Sequence, residues 1–145
     1  MKRKATAKWQ GTGMDGTGQL TTPSGVFNDQ PYSFKTRFKN DDGTLGTNPE
    51  ELIAAAHAGC FNMALSFQLQ EAGFTAKNLH TEAILAMENI DGNFTITGIE
   101  LHLEATVPGI EEDKFQEVAA NAKNNCPVSK ALSAIDITLK ATLQN

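Results

Sequence analysis

Cysteine and arginine are both scarce in this 145-residue chain, which has only Cys60 and Cys126, and Arg3 and Arg37. Two cysteines in a small secreted protein would suggest a structural staple. Basic charge is also short: the net charge is −5, and the one basic cluster, Lys2-Arg3-Lys4, sits at the N-terminal end. A short basic start reads as a solvated end rather than a binding arm, so no nucleic-acid partner is expected. No apolar stretch of signal-peptide type follows it. No run of about 18 apolar residues lacks polar interruption, so no membrane association is expected. A phosphate-cradling glycine motif, a GxSxG elbow and a dinucleotide fingerprint are all missing, so the default is no cofactor. His57, His80 and His102 lack zinc-like spacing, so no metal is expected. The chain reads as a cytoplasmic protein, whose cysteines are reactive or buried free thiols rather than a lasting staple.

What is present fits one domain spanning 1–145, with 40% hydrophobic residues to build a core. The first third reads as β-structure, Lys4–Trp9 and Gln19–Thr22, with glycine-rich turns. Pro31–Phe38 alternates, Tyr32, Phe34, Thr36 and Phe38 on one side and Arg37 on the other. A long helix is then expected over Pro49–Ala72. Asn48 is its N-cap, Pro49 its first residue, Glu51 completes a capping box and Gly73 ends it. Between Leu52 and Phe67 its only polar side chains are His57, Asn62 and Ser66. A helix apolar nearly all round must be covered nearly all round, and one small sheet covers one face. A second subunit is the economical cover. Thr81–Ile90 and Phe94–Val107 read as a hairpin joined at Asp91-Gly92. An amphipathic helix over Glu111–Asn124, a short helical piece after Pro127 and a strand over Ile135–Leu143 follow. Strands with segregated helices give an α+β fold.

The chemistry-bearing residues are few. Cys60 lies in the apolar helix beside Gly59, one turn from Ala56 and Ala64, with Met63 and Phe67 near that face. From this helix alone a small buried hydrophobe is the favoured reading, and a reactive thiol the other. Cys126 precedes Pro127 at a helix start, where backbone N–H groups favour a thiolate; an incidental loop cysteine is its bland reading. Nothing in the sequence says whether the two sulfurs meet. Arg37 is a surface residue with a packed stem, or the fixed charge that lowers a thiol pKa. Glu50 either holds that guanidinium through a bidentate pair or simply complements the helix N-terminus. Ten residues of helix separate Glu50 from Cys60, about 15 Å along the axis, which one side chain cannot bridge. Arg37 and Glu50 of one subunit are therefore expected to complete a site around Cys60 of another. His57, one turn before Cys60, reads as a packed or partly exposed histidine outside the core site.

The stretch Thr47-Asn48-Pro49-Glu50-Glu51-Leu52-Ile53-Ala54-Ala55-Ala56-His57-Ala58-Gly59-Cys60-Phe61 resembles the signature of the OsmC/Ohr family. The resemblance continues through Gln30–Phe38 and Asn125-Cys126-Pro127-Val128-Ser129, and covers essentially the whole chain in the order and length of the OsmC branch. It implies antiparallel β-sheets wrapped around long central helices in an intertwined homodimer. It also implies a thiol-dependent peroxidase that turns organic hydroperoxides into alcohols. By that likeness Cys60 is the peroxidatic cysteine, Cys126 the resolving one, and Arg37 and Glu50 the activating pair. An external dithiol, lipoyl-type by the resemblance, would reset the enzyme. The rival expectation is a non-catalytic dimer whose greasy interface holds a small apolar ligand.

Overall fold

Alternation and turn chemistry account for most of the strands. The computed structural model describes residues 1–145, which divide into two compact units, Met1–Leu52 and Ile53–Asn145.

In the first unit, strands β1 (Thr6–Gln10), β2 (Thr17–Thr21) and β3 (Gln30–Ser33) form an antiparallel sheet in that order. Trp9 and Tyr32 flank the middle strand, ring centroids 5.4 Å apart, and fill the space where a side chain at Gly18 would go. Only Gly16 and Gly18 are buried in this unit, so it has no apolar core of its own. The extended reading of Pro31–Phe38 is corrected here: β3 stops at Ser33, and Phe34–Phe38 is a short helix, α1. Ser33 and Thr36 form a reciprocal capping box, which outweighs the weak alternation of so short a stretch. Phe34 and Phe38, four apart, then stack on one helix face with centroids 4.9 Å apart. Asn40 ties the following loop by bonds to the Thr36 and Gly46 carbonyls and the Leu45 N–H.

Helix α2 runs Pro49–Glu71. Asn48 Oδ1 accepts the Glu51 N–H at 2.8 Å, as an N-cap should. Glu51 accepts from the Thr47 hydroxyl at 2.7 Å instead of closing the expected box. Gly73, at φ 87°, ends the helix while the Phe74 N–H reaches back to the Leu69 carbonyl.

The second unit is built on strands β4 (Asn78–Ile90), β5 (Asn93–Thr106) and β6 (Asp136–Leu143). Asp91 and Gly92, both with positive φ, make the tight β4–β5 turn the sequence foretells. The antiparallel expectation holds for β4 and β5, but β6 runs parallel to β5. Two helices intervene, α3 (Glu112–Asn125) and α4 (Pro127–Ala131), and such a crossover lets the chain re-enter the sheet in the same direction. Ile99, Leu101, Leu103 and Ala105 of β5 point to one face, where they join Phe115, Val118, Ala119 and Ala122 of α3 and Phe61, Leu65 and Leu69 of α2 in one buried cluster.

Within the single chain α2 is covered along one stripe only. One stripe is buried, His57, Phe61, Leu65 and Leu69, repeating every four residues. Met63 and Phe67 stay 64% and 59% exposed. By length and composition alone α2 would also pass as a membrane span, contrary to the sequence expectation, yet its buried stripe belongs to the core cluster of the second unit.

Phe115→Ala is expected to lower unfolding stability by about 3–5 kcal/mol, because the ring is fully buried and leaves a cavity. Val26→Ala, 76% exposed, should stay within about 0.5 kcal/mol of the parent in the same urea titration. Equal midpoints for the two variants would contradict this core assignment.

Candidate functional site

Each cysteine owes its position to a helix. On α2, Cys60 falls one residue before buried Phe61, so it lies at the edge of the buried stripe and is partly covered. Cys126 closes α3, its N–H bonding the Ala122 carbonyl at 2.9 Å, and at the same time caps α4, whose Lys130 N–H bonds the Cys126 carbonyl at 3.0 Å. Pro127 at the first position of α4 suits both its fixed φ and its missing N–H. Cys126 is fully buried.

Cys126 and the backbone N–H of Val128, in the first turn of α4, both lie close enough to Cys60 to influence its ionisation. Both cysteines are free thiols. Burial pushes the Cys60 pKa above its ordinary value; the Val128 N–H pulls it down, and the Cys126 thiol adds to the rise. Within this unit, then, Cys60 is held as a thiol beside a second thiol. Such a pair can pass between dithiol and disulfide if one sulfur is first oxidised.

Arg37 and Glu50 form the other pair, in the first unit. Arg37 Nε lies 3.1 Å from both Glu50 carboxylate oxygens, and one terminal guanidinium nitrogen lies 2.6 Å from Oε1. The guanidinium also rests 4.9 Å from the Phe38 ring centroid. Arg37 projects from helix α1 and not from a strand. The planar fork fixes the direction of the positive charge. Its side chain is 36% exposed, so the pair's value lies in orientation more than in stability.

Of the four residues singled out in the sequence, the structure thus makes two pairs, one in each unit. Sequence reasoning missed two neighbours of the thiols. His57 takes the packed of its two expected forms and is buried completely, but its bonding partner was not foreseen: its Nε2 lies 2.8 Å from Ser129 Oγ, and Ser129 is itself buried. The second neighbour is the Val128 N–H, a backbone group with no residue-type signature. Its only hint is the Cys-Pro-Val-Ser helix start, which aims early N–H groups at whatever packs there. No group of three or more His, Cys, Asp or Glu side chains is arranged to hold a metal.

Burial lowers the His57 pKa from its ordinary 6.5. The unfolded chain therefore takes up a proton below about pH 6.5 that the folded chain refuses, so stability drops as the pH is lowered there, by up to ~1.4 kcal/mol per unit. Between pH 7.5 and 5.5 the urea midpoint of the parent should drop further than that of His57→Gln. Parallel drops in the two would remove His57 as the cause.

Comparison with known proteins adds a family. The model of the family described as OsmC-like protein matches residues 40–140. Peroxiredoxin OsmC of Escherichia coli K12 is 48% identical over 143 residues, covering 99% of this chain and 97% of that protein. Organic hydroperoxide resistance protein OhrB of Bacillus subtilis is 30% identical over 125 residues, 85% of this chain and 88% of its own. The crystal structure of OhrB superimposes with a TM-score of 0.74 at 28% identity, covering 96% of this chain and 98% of that one. An OsmC-like protein from Mycoplasma pneumoniae shares the fold with a TM-score of 0.77 at 19% identity, covering 100% of this chain and 99% of that one.

Proposed function

The chain belongs to the OsmC-like protein family, and from that premise we propose that it is a cytoplasmic, thiol-dependent peroxidase that reduces organic hydroperoxides to alcohols. The observation that carries this reading is the proximity of Cys60 and Cys126, two free thiols from distant parts of the chain, Cys126 lying near enough to Cys60 to affect its ionisation. In the first step the Cys60 thiolate attacks the distal oxygen of ROOH; the O–O bond breaks, the alkoxide takes a proton and leaves as ROH, and Cys60 becomes a sulfenic acid. In the second, the Cys126 thiol attacks that sulfur, a Cys60–Cys126 disulfide forms, and water leaves. An external dithiol, lipoyl-type by family resemblance, exchanges with the disulfide and restores both thiols. No resident cofactor enters.

Cys60 needs help to ionise, because burial and its thiol neighbour both raise its pKa. Arg37, aimed by Glu50, is the charge we assign to that task, with a second role in stabilising negative charge on the departing peroxide oxygen. Ten residues of helix separate Glu50 from Cys60, about 15 Å, so the pair acts on the thiol of a second copy. Two features support a homodimer: the first unit buries no apolar side chain, and Met63 and Phe67 leave an apolar stripe of α2 open. One such pairing makes units 1–52 and 53–145 parts of a single OsmC-like domain working as a dimer. Apolar side chains beside the thiol favour alkyl hydroperoxides over hydrogen peroxide, since each buried CH₂ contributes about 0.8 kcal/mol. The binding-module alternative has no use for two adjacent free thiols.

Treating the reduced protein with one equivalent of cumene hydroperoxide should remove both free thiols and release cumyl alcohol, and Cys60→Ser should lose none. Unchanged thiols in the parent would sink the peroxidase reading. Refolding Cys60→Ser together with Glu50→Ala should restore activity, through mixed dimers carrying one intact composite site. Failure to complement, with mixed dimers demonstrated, would return Arg37 and Glu50 to their own chain's thiol.

A further inference from the structure

His57 is a buried titratable group that the two-step chemistry above does not use. Its ring is 0% exposed, Ser129 is 5% exposed, and Nε2 lies 2.8 Å from the Ser129 hydroxyl. The other nitrogen, Nδ1, is buried without a hydrogen-bond partner. Ser129 is thus the sole hydrogen-bond partner of the ring. Breaking the bond would leave polar atoms on both sides orphaned in a dry interior, so it resists separation of the elements that carry it.

Those elements are the ones that bear the thiols. His57 stands on α2 one turn before Cys60, and Ser129 stands in the first turn of α4. That turn is capped by Cys126 and includes Val128, whose N–H is near enough to Cys60 to favour its thiolate. The Cys126 carbonyl is bonded to the Lys130 N–H at 3.0 Å, so the turn moves as a piece. A bond from Ser129 to α2 consequently sets where Cys126 sits relative to Cys60. The hydroxyl can donate or accept, so a neutral imidazole keeps the bond in either tautomer.

We propose that His57 and Ser129 are positioning residues for the resolving step: they latch the first turn of α4 to α2 so that Cys126 stays within reach of Cys60 after Cys60 is oxidised. The inference rests on the dithiol reading above. In that step Cys60–SOH and Cys126–SH give Cys60–S–S–Cys126 and water, the sulfenic hydroxyl leaving with the thiol proton. With the latch broken, the sulfenic acid waits longer, and a second hydroperoxide carries it to sulfinic acid.

Three full-length variants test this: Ser129→Ala, which removes the hydroxyl; His57→Gln, whose amide reaches the position of Nε2; and His57→Asn, whose amide stops short of it. Each reduced protein is mixed with excess tert-butyl hydroperoxide. Stopped-flow fluorescence follows the first oxidation, and mass spectrometry reads the ratio of Cys60–Cys126 disulfide to Cys60 sulfinic acid. Ser129→Ala and His57→Asn should undergo the first oxidation at close to the parent rate, form disulfide roughly tenfold more slowly, and accumulate sulfinic acid. His57→Gln should recover most of the parent's disulfide yield. Parent-like disulfide yield in both Ser129→Ala and His57→Asn would overturn the latch. If Ser129→Ala does not fold, the contrast between His57→Gln and His57→Asn decides alone, and equal yields in those two overturn it. A parent protein that forms no disulfide would instead overturn the dithiol reading itself.

Discussion

The buried stripe of α2 is the constraint on which the thiol site depends. Phe61, Leu65 and Leu69 are locked into the same apolar cluster as Phe115, Val118 and Ala122. This leaves α2 no freedom to rotate about its axis, and the orientation of Cys60 follows from it. The residue sits just off the buried line, covered enough to lose water yet not sealed. The same cluster takes in Cys126 at the end of α3. Hydrophobic packing thereby brings near each other two sulfurs that the chain itself keeps far apart, and the Ser129–His57 bond ties α4 to α2 beside them. The burial that assembles the pair also disfavours the thiolate that the chemistry needs. Packing and reactivity oppose each other at Cys60, which is why a fixed guanidinium matters to the proposed function.

Much of this fold was legible in the residues. Capping chemistry announced α2 from Asn48 to Gly73, and the structure keeps both ends. The Asp91-Gly92 turn and the alternation of Ile99, Leu101 and Leu103 announced the hairpin and its buried face. Pro31–Phe38 was misread because eight residues carry too little periodicity to separate strand from helix, while the deciding signal was the local pair Ser33 and Thr36. The direction of β6 was not legible either. A strand's own pattern is the same whether it pairs parallel or antiparallel, and only the helices before it determine the sense of its return.

The candidate site was legible unevenly. Cys60 and Cys126 stood out by scarcity and by motif, but their proximity is a tertiary fact, invisible to spacing. Glu50 and Arg37 could be paired by charge complementarity, and the bidentate geometry follows from the shape of the two groups. His57 was set aside because a lone histidine in an apolar helix has no sequence signal of its bonding partner. That partner, Ser129, lies on α4 and meets it only through the packing of the core.

The pairing of the two thiols is tested most directly by mapping the oxidised protein. The reduced chain is treated with one equivalent of an organic hydroperoxide, digested without reductant, and its peptides weighed. A peptide pair joined through Cys60 and Cys126 of the same chain, lost on adding a dithiol, is the predicted result. Free thiols at both positions, or a bridge joining Cys60 of one chain to Cys60 of another, would contradict it.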